Sequence, residues 1–546
     1  MTFNTPVTVT VTMTMTGMIT MKSVMNLSLL ISVMILVNLD KCQSYRILGI
    51  FPMNAKSHMV MFEHIMKGLA RSGHQVDVVS VFPLRKPYPN YTDLEIPAAM
   101  PKLVNNMTHE FLNDILQLNI VQFLAVNYGN FICEKGFEQE PLRKIVEQPP
   151  KNPPYDLVIT EIFAAHCFMA FGHHLKVPVV GLSSSALYPW GNDMVGNPPN
   201  LAFVPNNLLE HMENMSFWQR LYNVLHTYYY RMYFNYYTSP QSDMIKKYFG
   251  PDAPGVRELE HDLALILTNS HLAINGPRPT TPALVEVGGL HIQDDDPEIP
   301  ADHLKWLNES KDGFIYFTFG SMMQIESFPK PVLDVLYKSL GKLAPIRVFM
   351  KAPQPEKLPP GLPKNIRTFT WMPQLKVLRH KNIRAFITHG GLMGTQEAIH
   401  SAVPMIGMPL FADQFTNVDL YVSKKIAIRL DYADMTENKL DHALNEILHN
   451  PIYRETMKKV SEKFKDGPMS PLDTAVYWIE YVIRHGKTAL RSPAVNMYWW
   501  QVALVDVYVF LTITALVIVF VTVKIVRFIS KILSPAVNTP HSKKVN

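Results

Sequence analysis

The sequence predicts two doubly wound α/β domains, one after the other, and a single transmembrane helix near the C-terminus. Three observations carry this prediction. At 546 residues the chain is too long for one ordinary domain. Short apolar strands alternate with helical segments in two separate series. An almost wholly apolar stretch, 502–523, is long enough to cross a bilayer as one helix.

Composition and charge exclude several classes of protein. Hydrophobic residues make up 47% of the chain and charged residues 18%, so buried cores are expected rather than disorder. Lys and Arg number 51 against 46 for Asp and Glu, and this balance gives no support to a nucleic-acid partner. Three cysteines are too few for a disulfide scaffold.

The first 44 residues are interpreted as a leader and a signal peptide. Residues 1–20 form an uncharged stretch rich in Thr, Val and Met. Lys22 and the apolar run 27–37 then supply the basic and hydrophobic regions of a secretory signal. Cleavage near Ser44 would remove this segment, and a retained short anchor is the alternative.

The first predicted domain, 45–285, opens with a βαβ unit. Its predicted strands are 45–51, 75–81, 155–160 and 177–182, and a helix over 58–71 joins the first two. Farther along, the aromatic segment 217–237 has helical spacing. It could line an apolar binding site or lie against the membrane, and plain packing is the expectation.

The second predicted domain, 286–498, repeats the alternation. Its predicted strands are 313–319, 347–350, 366–369 and 385–388. Between the two series, 275–300 carries Gly-Pro and Gly-Gly pairs and an acidic, Pro-bounded loop, which is typical of a linker. The two domains are therefore expected to face each other across a cleft.

The C-terminal segments predict an anchor with a defined orientation. The transmembrane helix is expected over 499–526, with two tryptophans at its start and three basic residues at or beyond its end. The positive-inside rule then places the tail, 527–546, in the cytosol and the domains in the lumen. The last four residues, KKVN, resemble a dilysine retrieval signal, so we expect a type I protein of the endoplasmic reticulum membrane.

Two further features agree with a luminal body. Triplets that accept N-linked glycans begin at Asn90, Asn106, Asn214 and Asn308. If the signal is removed, Cys133 and Cys167 are the cysteines that remain. They either pair in an oxidising lumen or stay buried as thiols, and the sequence leaves both open.

The residues around the fourth strand of the second series predict a phosphate site. The strand ends at Thr388, His389 to Gly391 form a tight turn, and a helix is expected to start near 393–395. Glycines let the backbone approach a ligand, and a helix N-terminus presents free N–H groups and a positive dipole. Glu397 follows on the first turns of that helix, where a carboxylate could accept from ribose hydroxyls.

A further strand, expected over 404–411, is followed by Asp413 and Gln414 at the ligand-binding edge of the sheet. The whole stretch 386–414, FITHGGLMGTQEAIHSAVPMIGMPLFADQ, resembles the signature of the UDP-glycosyltransferase family. Upstream, WMPQ at 371–374 is similar to the family's W-x-P-Q motif, and FTFGS at 317–321 to its glycine-serine loop.

The resemblance covers nearly the whole chain and is closest to the membrane-bound animal branch. Residues 395–397 are more similar to insect members of the family than to vertebrate ones. It implies the GT-B type of fold, in which two Rossmann-like domains face across a cleft. The domain 45–285 would bind the acceptor, and the domain 286–498 would bind the UDP-sugar.

The resemblance also implies roles in the donor site. Carried over by position, the UDP-binding residues are Ser321, Trp371, Gln374, His389, Gly391, Gly394 and Glu397. Asp413 and Gln414 would bind the hydroxyls of the transferred sugar. Trp371 would stack on uracil, while Ser321 and His389 would hold the diphosphate. Met393 stands where the family often has Asn, so one contact is lost or supplied by backbone.

In the first half, the resemblance implies a catalytic base at His58, in the loop after the first strand. Glu161 stands where the family has an Asp partner, one methylene longer, which leaves the geometry of the pair open. An imidazole suits a base that takes a proton from a hydroxyl near neutral pH. Without the resemblance a surface or helix-capping histidine would be expected, and that interpretation stays for His64, His74 and the pair 173–174.

The implied activity is inverting transfer of a hexose from a UDP-sugar to a hydroxyl or other nucleophile of a small lipophilic acceptor. UDP-glucose is favoured over UDP-glucuronate on the insect resemblance. No metal or other cofactor is expected, because the run 294–296 of aspartates lies in a linker and not at a strand end.

Two rival functions make different demands on the sequence. A lipase-like hydrolase is excluded because the chain has no G-x-S-x-G elbow. The alternative is a membrane-anchored binding protein of the same fold that has lost catalysis, for which Met393 and Glu161 are the only support. Acceptor identity and oligomeric state stay open.

Overall fold

The chain folds into two parallel β-sheets covered by helices, which confirms the predicted pair of α/β domains. The computed structural model describes residues 44–534 apart from 211, 213 and 296. The predicted leader, nearly all of the signal peptide and the dilysine tail lie outside the described residues.

The first sheet has seven strands in the order β3-β2-β1-β4-β5-β6-β7. These are β1 Arg46–Phe51, β2 Gln75–Ser80, β3 Tyr91–Glu95, β4 Leu157–Glu161, β5 Val179–Ser183, β6 Leu265–Thr268 and β7 Leu284–Glu286. The strand order reverses between β1 and β4, which pair in parallel, so a crevice opens there at the carboxyl ends.

The second sheet repeats this plan with six strands in the order β10-β9-β8-β11-β12-β13. They are β8 Phe314–Thr318, β9 Arg347–Lys351, β10 Ile366–Phe369, β11 Ile383–Thr388, β12 Met405–Gly407 and β13 Ala427–Arg429. Ile315 and Phe317 enter one hydrophobic core and Phe314 and Tyr316 the other, so helices cover both faces. The predicted strand 404–411 is shorter than expected.

Helices connect the strands of both sheets. In the first half they are α1 Lys56–Arg71, α2 His109–Leu116, α3 Ile120–Gln122, a π-helix Phe123–Asn130, α4 Phe131–Phe137, α5 Glu140–Glu147, α6 Ala170–Leu175, α7 Gly191–Met194, α8 Phe217–Thr238, α9 Gln241–Phe249, α10 Val256–His261 and α11 Leu272–Asn275. In the second half they are α12 Ala301–Asn308, α13 Lys330–Gly341, α14 Gln374–Leu378, α15 Leu392–His400, α16 Gln414–Ser423, α17 Glu437–His449, α18 Pro451–Lys465, α19 Pro471–His485, α20 Trp499–Val502 and α21 Val505–Leu533.

Two segments cross from one half of the molecule to the other. The apolar face of α19 joins the core of the first sheet, where Leu472 packs on Gly68 of α1. In return, Met107 and Ile115, from the first half, enter a core of the second sheet. The predicted domain boundary at 285/286 stays a prediction. It did not anticipate that α19, which lies far beyond this boundary in the chain, packs on the first sheet.

The C-terminal helix α21 is a candidate membrane span by length and composition, with a mean hydropathy of 2.7 and no buried residues. It begins after Leu504 and ends at Leu533, seven residues beyond the predicted limit of 526. The helix does not need to end at the first basic residues, because long cationic side chains can extend along it toward water.

A disulfide joins Cys133 of α4 to Cys167, and both residues are fully buried. The sequence had left a pair and two free thiols open. The bond ties α4 to the segment that follows β4, directly behind the crevice of the first sheet.

Candidate active site

A cavity of about 370 Å³ lies between the carboxyl ends of the two sheets, and residues from both halves line it. Ten of the predicted site residues line this cavity: His58, Ser321, Trp371, Gln374, His389, Gly391, Gly394, Glu397, Asp413 and Gln414. Glu161 does not line it and is buried directly behind His58. Residues that the sequence places as many as 356 positions apart, from His58 to Gln414, therefore meet in one cleft.

His58 lies in the first turn of α1, just beyond the carboxyl end of β1. Glu161 is the last residue of the neighbouring strand β4, whereas the sequence had placed it just after a strand. The register of the two strands brings these side chains together, and His58 Nδ1 lies 2.6 Å from Glu161 Oε1. Nδ1 is thereby engaged, and Nε2 is the ring nitrogen left for a reacting group.

Ser184, beyond the end of β5, completes this group. Its Oγ lies 3.0 Å from His58 Nδ1 and donates to Glu161 Oε1 at 3.3 Å. The hydroxyl thus contacts both members of the pair and restricts their rotation. No sequence signal pointed to Ser184, because a serine in a run of three serines has no distinguishing pattern.

Charges around His58 hold it ready to take a proton. Burial acts to lower the pKa of His58, but the charge and hydrogen bond of Glu161, helped by Asp413, outweigh burial and raise it above 6.5. Burial raises the pKa of Asp413, against the hydrogen bond from Asn417 Nδ2 at 2.9 Å. The first-half histidine and the second-half carboxylate therefore interact across the cleft.

His389 is enclosed by glycine backbone. A methyl group added at Gly320 or at Gly391 would come within 2.5 Å of its ring, and Gly320 has a φ of +76°. Burial, with Lys351 nearby, lowers the pKa of His389 to about 4, so the ring is neutral at pH 7. Within the part of the chain that the structure describes, its buried Nδ1 has no hydrogen-bond partner, so it can serve a ligand.

Gln374, at the start of α14, and Glu397, in α15, contact each other. Gln374 Nε2 donates to Glu397 Oε2 at 2.6 Å. Gly394 makes this approach feasible, since a Cβ there would lie 2.9 Å from Gln374 Nε2. Trp371 lies nearby with half of its surface exposed, so one ring face is available for stacking. The helix α15 starts at Leu392, one residue earlier than predicted.

Asp413 and Gln414 are held by a strained loop. Ala412 has a φ of +55°, which is uncommon for a residue other than glycine. Gln414 Oε1 accepts from the backbone N–H groups of Leu410 and Phe411 at 2.9 and 3.2 Å. The amide carbonyl of Gln414 therefore fixes the loop, and its NH₂ group is the part that can donate to a ligand.

Lys351, the last residue of β9, is a cavity residue that the sequence reasoning missed. Its Nζ donates to the Gly320 carbonyl at 2.6 Å and lies 4.8 Å from the centre of the Trp371 ring. Burial lowers its pKa to about 8. The available signal was a lysine at the carboxyl end of a parallel strand, but the predicted strand stopped at Met350.

The first half also contributes an apolar wall that was not predicted. Its side chains come from α2, α3 and the π-helix: Phe111, Ile115, Ile120, Phe123 and Leu124. The cavity thus has a polar end at the second sheet and an apolar end beneath these helices.

The acidic linker residues are engaged elsewhere. Asp294 forms an ion pair with Arg379, and Asp295 lies 3.3 Å from His64 Nε2. His74 is buried, accepts from the Tyr45 N–H and contacts Glu480, so it is an interior histidine and not the surface or helix-capping one that was expected. The expectation that no metal is needed stays a prediction.

Comparisons with known sequences give one consistent result. The family model described as UDP-glucuronosyl and UDP-glucosyl transferase matches residues 47–537. The UDP-glucosyltransferase 2 of Dactylopius coccus is 34% identical over 518 residues, which cover 93% of this chain and 97% of that protein. The UDP-glucuronosyltransferase of Pleuronectes platessa is 32% identical over 424 residues, 76% of this chain and 86% of that one.

A solved structure agrees on the fold. Phytolacca americana UGT2, complexed with UDP-2-fluoro-glucose and pterostilbene, has a TM-score of 0.54 and 16% identity to this chain. The match covers 81% of this chain and 100% of that one. At this identity the likeness concerns the fold alone, which is the two-domain GT-B arrangement.

Proposed function

The chain belongs to the UDP-glucuronosyl and UDP-glucosyl transferase family and is a UDP-sugar glycosyltransferase, and from this premise we propose its substrates and mechanism. It transfers glucose from UDP-glucose, with inversion, to a hydroxyl or other nucleophile of a small lipophilic acceptor. The observation that carries this proposal is the His58–Glu161 pair, which lies opposite Asp413 in a cavity with one apolar end.

His58 is the general base in the proposed reaction. Its Nε2 takes the proton of the acceptor O–H group, and the acceptor oxygen forms a bond to the anomeric carbon of the sugar. The bond from that carbon to the UDP oxygen breaks, and UDP leaves from the opposite face. Glu161 stabilises the imidazolium that forms on His58, as a carboxylate does in other acid–base dyads.

The second half meets the charge that develops on the leaving diphosphate. The free N–H groups at the start of α15 and the neutral His389 donate toward it, together with the Ser321 hydroxyl. Trp371 stacks on uracil, with Gln374 and Glu397 at the uracil edge and ribose. Asp413 and Gln414 hold the sugar hydroxyls. No metal is required for any of these contacts.

Two observations support glucose over glucuronate. Of the two lysines that line the described cavity, Lys56 pairs with Glu63, and Lys351 lies beside Trp371 and His389, where its charge faces the UDP. A hexuronate would therefore bring a second carboxylate toward Asp413 without a free cation to offset it. The name of the 34% identical relative, a UDP-glucosyltransferase, supports the same donor.

We further place the protein in the endoplasmic reticulum membrane as a type I protein with luminal domains. The candidate span α21 supports an anchor, and the Cys133–Cys167 disulfide fits an oxidising lumen. The KKVN terminus supports retrieval to this compartment. Transfer of sugar to lipophilic compounds in this compartment would serve detoxification.

The test uses microsomes that contain the wild type, His58→Ala or His173→Ala. His173 is an exposed histidine of α6 outside the cavity, so it is the matched control. Each preparation receives radiolabelled UDP-glucose or UDP-glucuronate with a panel of phenols and aliphatic alcohols, and labelled glycoside is counted. UDP binding is measured in parallel.

We expect transfer from UDP-glucose in the wild type and the control, and a loss of about 10³-fold in His58→Ala with UDP binding intact. Transfer from UDP-glucuronate alone would overturn the donor assignment. No transfer from either donor, with UDP bound normally, would favour the alternative of a binding protein that has lost catalysis.

A further inference from the structure

The aromatic helix α8 packs inward with polar residues in its first half and with Phe234 and neighbouring tyrosines in its second half. Its buried residues are Asn223, Thr227, Phe234 and Thr238. The opposite side carries a row of exposed residues three and four positions apart, here called the aromatic stripe: Trp218, Tyr222, Leu225, Tyr229, Met232 and Tyr236. Three of them are 71–73% exposed. A surface helix of a soluble domain normally turns its large apolar residues toward the core, so an exposed stripe of this size requires an explanation.

Hydrogen bonds fix the helix in this orientation. The Asn223 side chain donates from Nδ2 to the carbonyls of Leu201 and Val204, both at 3.0 Å. Its Oδ1 accepts from the Asn206 N–H at 2.9 Å. Rotating α8 to bury the stripe would leave these backbone groups without partners, at a cost of about 1–3 kcal/mol each. The stripe is therefore held outward.

The helix lies beside the segment that leads to the membrane anchor. Arg231 of α8 forms an ion pair with Asp193. Three residues farther on, Gly196 packs so closely on Val495 that an added Cβ would lie 2.7 Å from the Val495 nitrogen. The candidate span α21 begins ten residues later, at Val505, which is at most about 35 Å of extended chain.

The composition of the stripe fits the polar–apolar boundary of a bilayer. Tyr and Trp, with an apolar ring and a polar edge, are enriched at membrane interfaces. The α8 sequence contains no Asp or Glu. Acidic side chains would be unfavourable among lipid headgroups, so their absence fits this position. Exposed aromatic residues, Tyr498, Trp499 and Trp500, also lie just ahead of α21. Protein interfaces share this aromatic composition, and the proximity of α8 to the segment before α21 is what favours the bilayer as the occupant.

We propose that the aromatic stripe of α8 lies in the interfacial region of the bilayer that α21 crosses, as a second membrane contact. The domains are then held against the membrane by two contacts rather than suspended from one. The proposal rests on the membrane anchorage proposed above and is independent of the catalytic assignment.

The test places a single environment-sensitive thiol label on the full chain. Met232→Cys puts it on the stripe. The matched control is Met469→Cys, which replaces another exposed methionine. Met469 lies just before the start of α19, so the whole helix, about 22 Å long, separates it from the segment that leads to the anchor. The labelled proteins are reconstituted into phosphatidylcholine vesicles with or without lipids that carry a quencher in the upper acyl chain. Wild type reports background labelling, since Cys133 and Cys167 are paired.

We expect lipid quenching at position 232 to exceed that at 469 by about threefold or more, with a blue-shifted emission only at 232. Both variants should keep wild-type sugar transfer, which shows that they are folded. Leu225→Cys, also on the stripe, supplies the same readout if Met232→Cys does not fold.

Three results would overturn the proposal, and they differ from one another. Equal, weak quenching at both positions in protein that floats with the vesicles would place the stripe in water and leave the anchor intact. A label at 232 that becomes shielded from water as the protein density in the vesicles rises, but is not quenched by the lipid quencher, would assign the stripe to contact with a second copy. Failure of the full chain to float would overturn both the anchor and the stripe, whatever the activity.

Discussion

His58 and His389 face the same cavity from opposite halves of the molecule, and their pKa values are shifted in opposite directions. Carboxylates surround His58, and their charge raises its pKa in spite of burial. Glycine backbone and Lys351 surround His389, and burial lowers its pKa to about 4. The first can therefore take up a proton near pH 7, whereas the second stays neutral. The partners of a histidine, and not the residue itself, set its chemistry.

The same contrast holds for the way the two halves are built. The His58–Glu161 contact joins residues 103 positions apart, on adjacent strands. The His389 site is more local, because the turn after β11 and the start of α15 follow one another in the chain, although Gly320 and Lys351 reach it from the ends of other strands. In the first half the site depends on an ion pair that the sheet register holds together. In the second half it depends on glycine backbone that encloses a histidine ring. Three substitutions test this contrast.

The largest effect is expected from Glu161→Gln, which removes the charge beside His58. We expect kcat to fall by about 10³-fold, because the imidazolium loses its counter-charge and its orientation. A base acts when it is neutral, so kcat/KM in the wild type rises with pH through a midpoint above 6.5. In the variant the pKa of His58 falls and this midpoint moves to lower pH. A pH–rate profile measures both effects.

Glu161→Asp is the control for the charge, since it keeps the carboxylate one methylene farther from Nδ1. It should restore part of the rate and most of the midpoint. If Glu161→Gln kept more than half of the wild-type kcat with an unshifted midpoint, His58 would not depend on this carboxylate. UDP affinity should be unchanged in both variants, because Glu161 does not line the cavity.

A smaller effect is expected from Gly391→Ala, which acts on the cradle of His389. The added Cβ would lie 2.5 Å from His389 Nε2, so the ring must move. We expect kcat/KM to fall by about 10²-fold and UDP binding to weaken, because a displacement of about 1 Å has effects of this size. Steady-state kinetics and titration with UDP measure these changes.

Gly467→Ala is the matched control. That glycine has no positive φ, and an added Cβ would meet only the Met469 carbonyl at 3.5 Å, an ordinary contact. Its kinetics should equal those of the wild type. Wild-type UDP affinity in Gly391→Ala would contradict the proposed role of His389 at the diphosphate.

The contrast between the halves also explains what the sequence could predict. Most of the named cavity residues of the second half lie in one uninterrupted stretch, 386–414, whose turn, glycines and helix start have local signals. Ser321, Trp371 and Gln374 lie outside it and needed the family resemblance. The pair His58 and Glu161 needed the family resemblance, because no local pattern links residues on two strands. The third member, Ser184, has neither a pattern nor a motif, and was missed.

The fold class is confirmed, but the prediction of single strands has gaps of the same kind. The long apolar strands were predicted to within a few residues, whereas β6, β7 and β13 have only three or four residues and no period to detect. The apolar wall depends on Met107 and Ile115 crossing into the core of the second sheet. A crossing of this kind is a tertiary contact, which periodicity in one segment cannot show.

The smallest effect is expected from Lys351→Met, which sharpens the contrast by removing the cation beside His389. Lys351 holds the Gly320 carbonyl and faces the Trp371 ring, so its loss should weaken UDP binding by about tenfold at pH 7. Burial lowers the pKa of Lys351 to about 8, so the charge is present below pH 8 and is lost above it. Wild-type affinity for UDP should therefore weaken between pH 7 and 9.

Lys351→Arg and Lys351→Met separate this charge from the packing of the side chain. Arginine stays charged over this range, so the UDP affinity of Lys351→Arg should be independent of pH between 7 and 9. The UDP affinity of Lys351→Met should also be independent of pH, but weaker. Titrations with UDP at three pH values distinguish the variants. A decline above pH 8 that persists in Lys351→Met would assign the titration to another group. It would also leave His389 and the start of α15 as the donors on which the diphosphate depends.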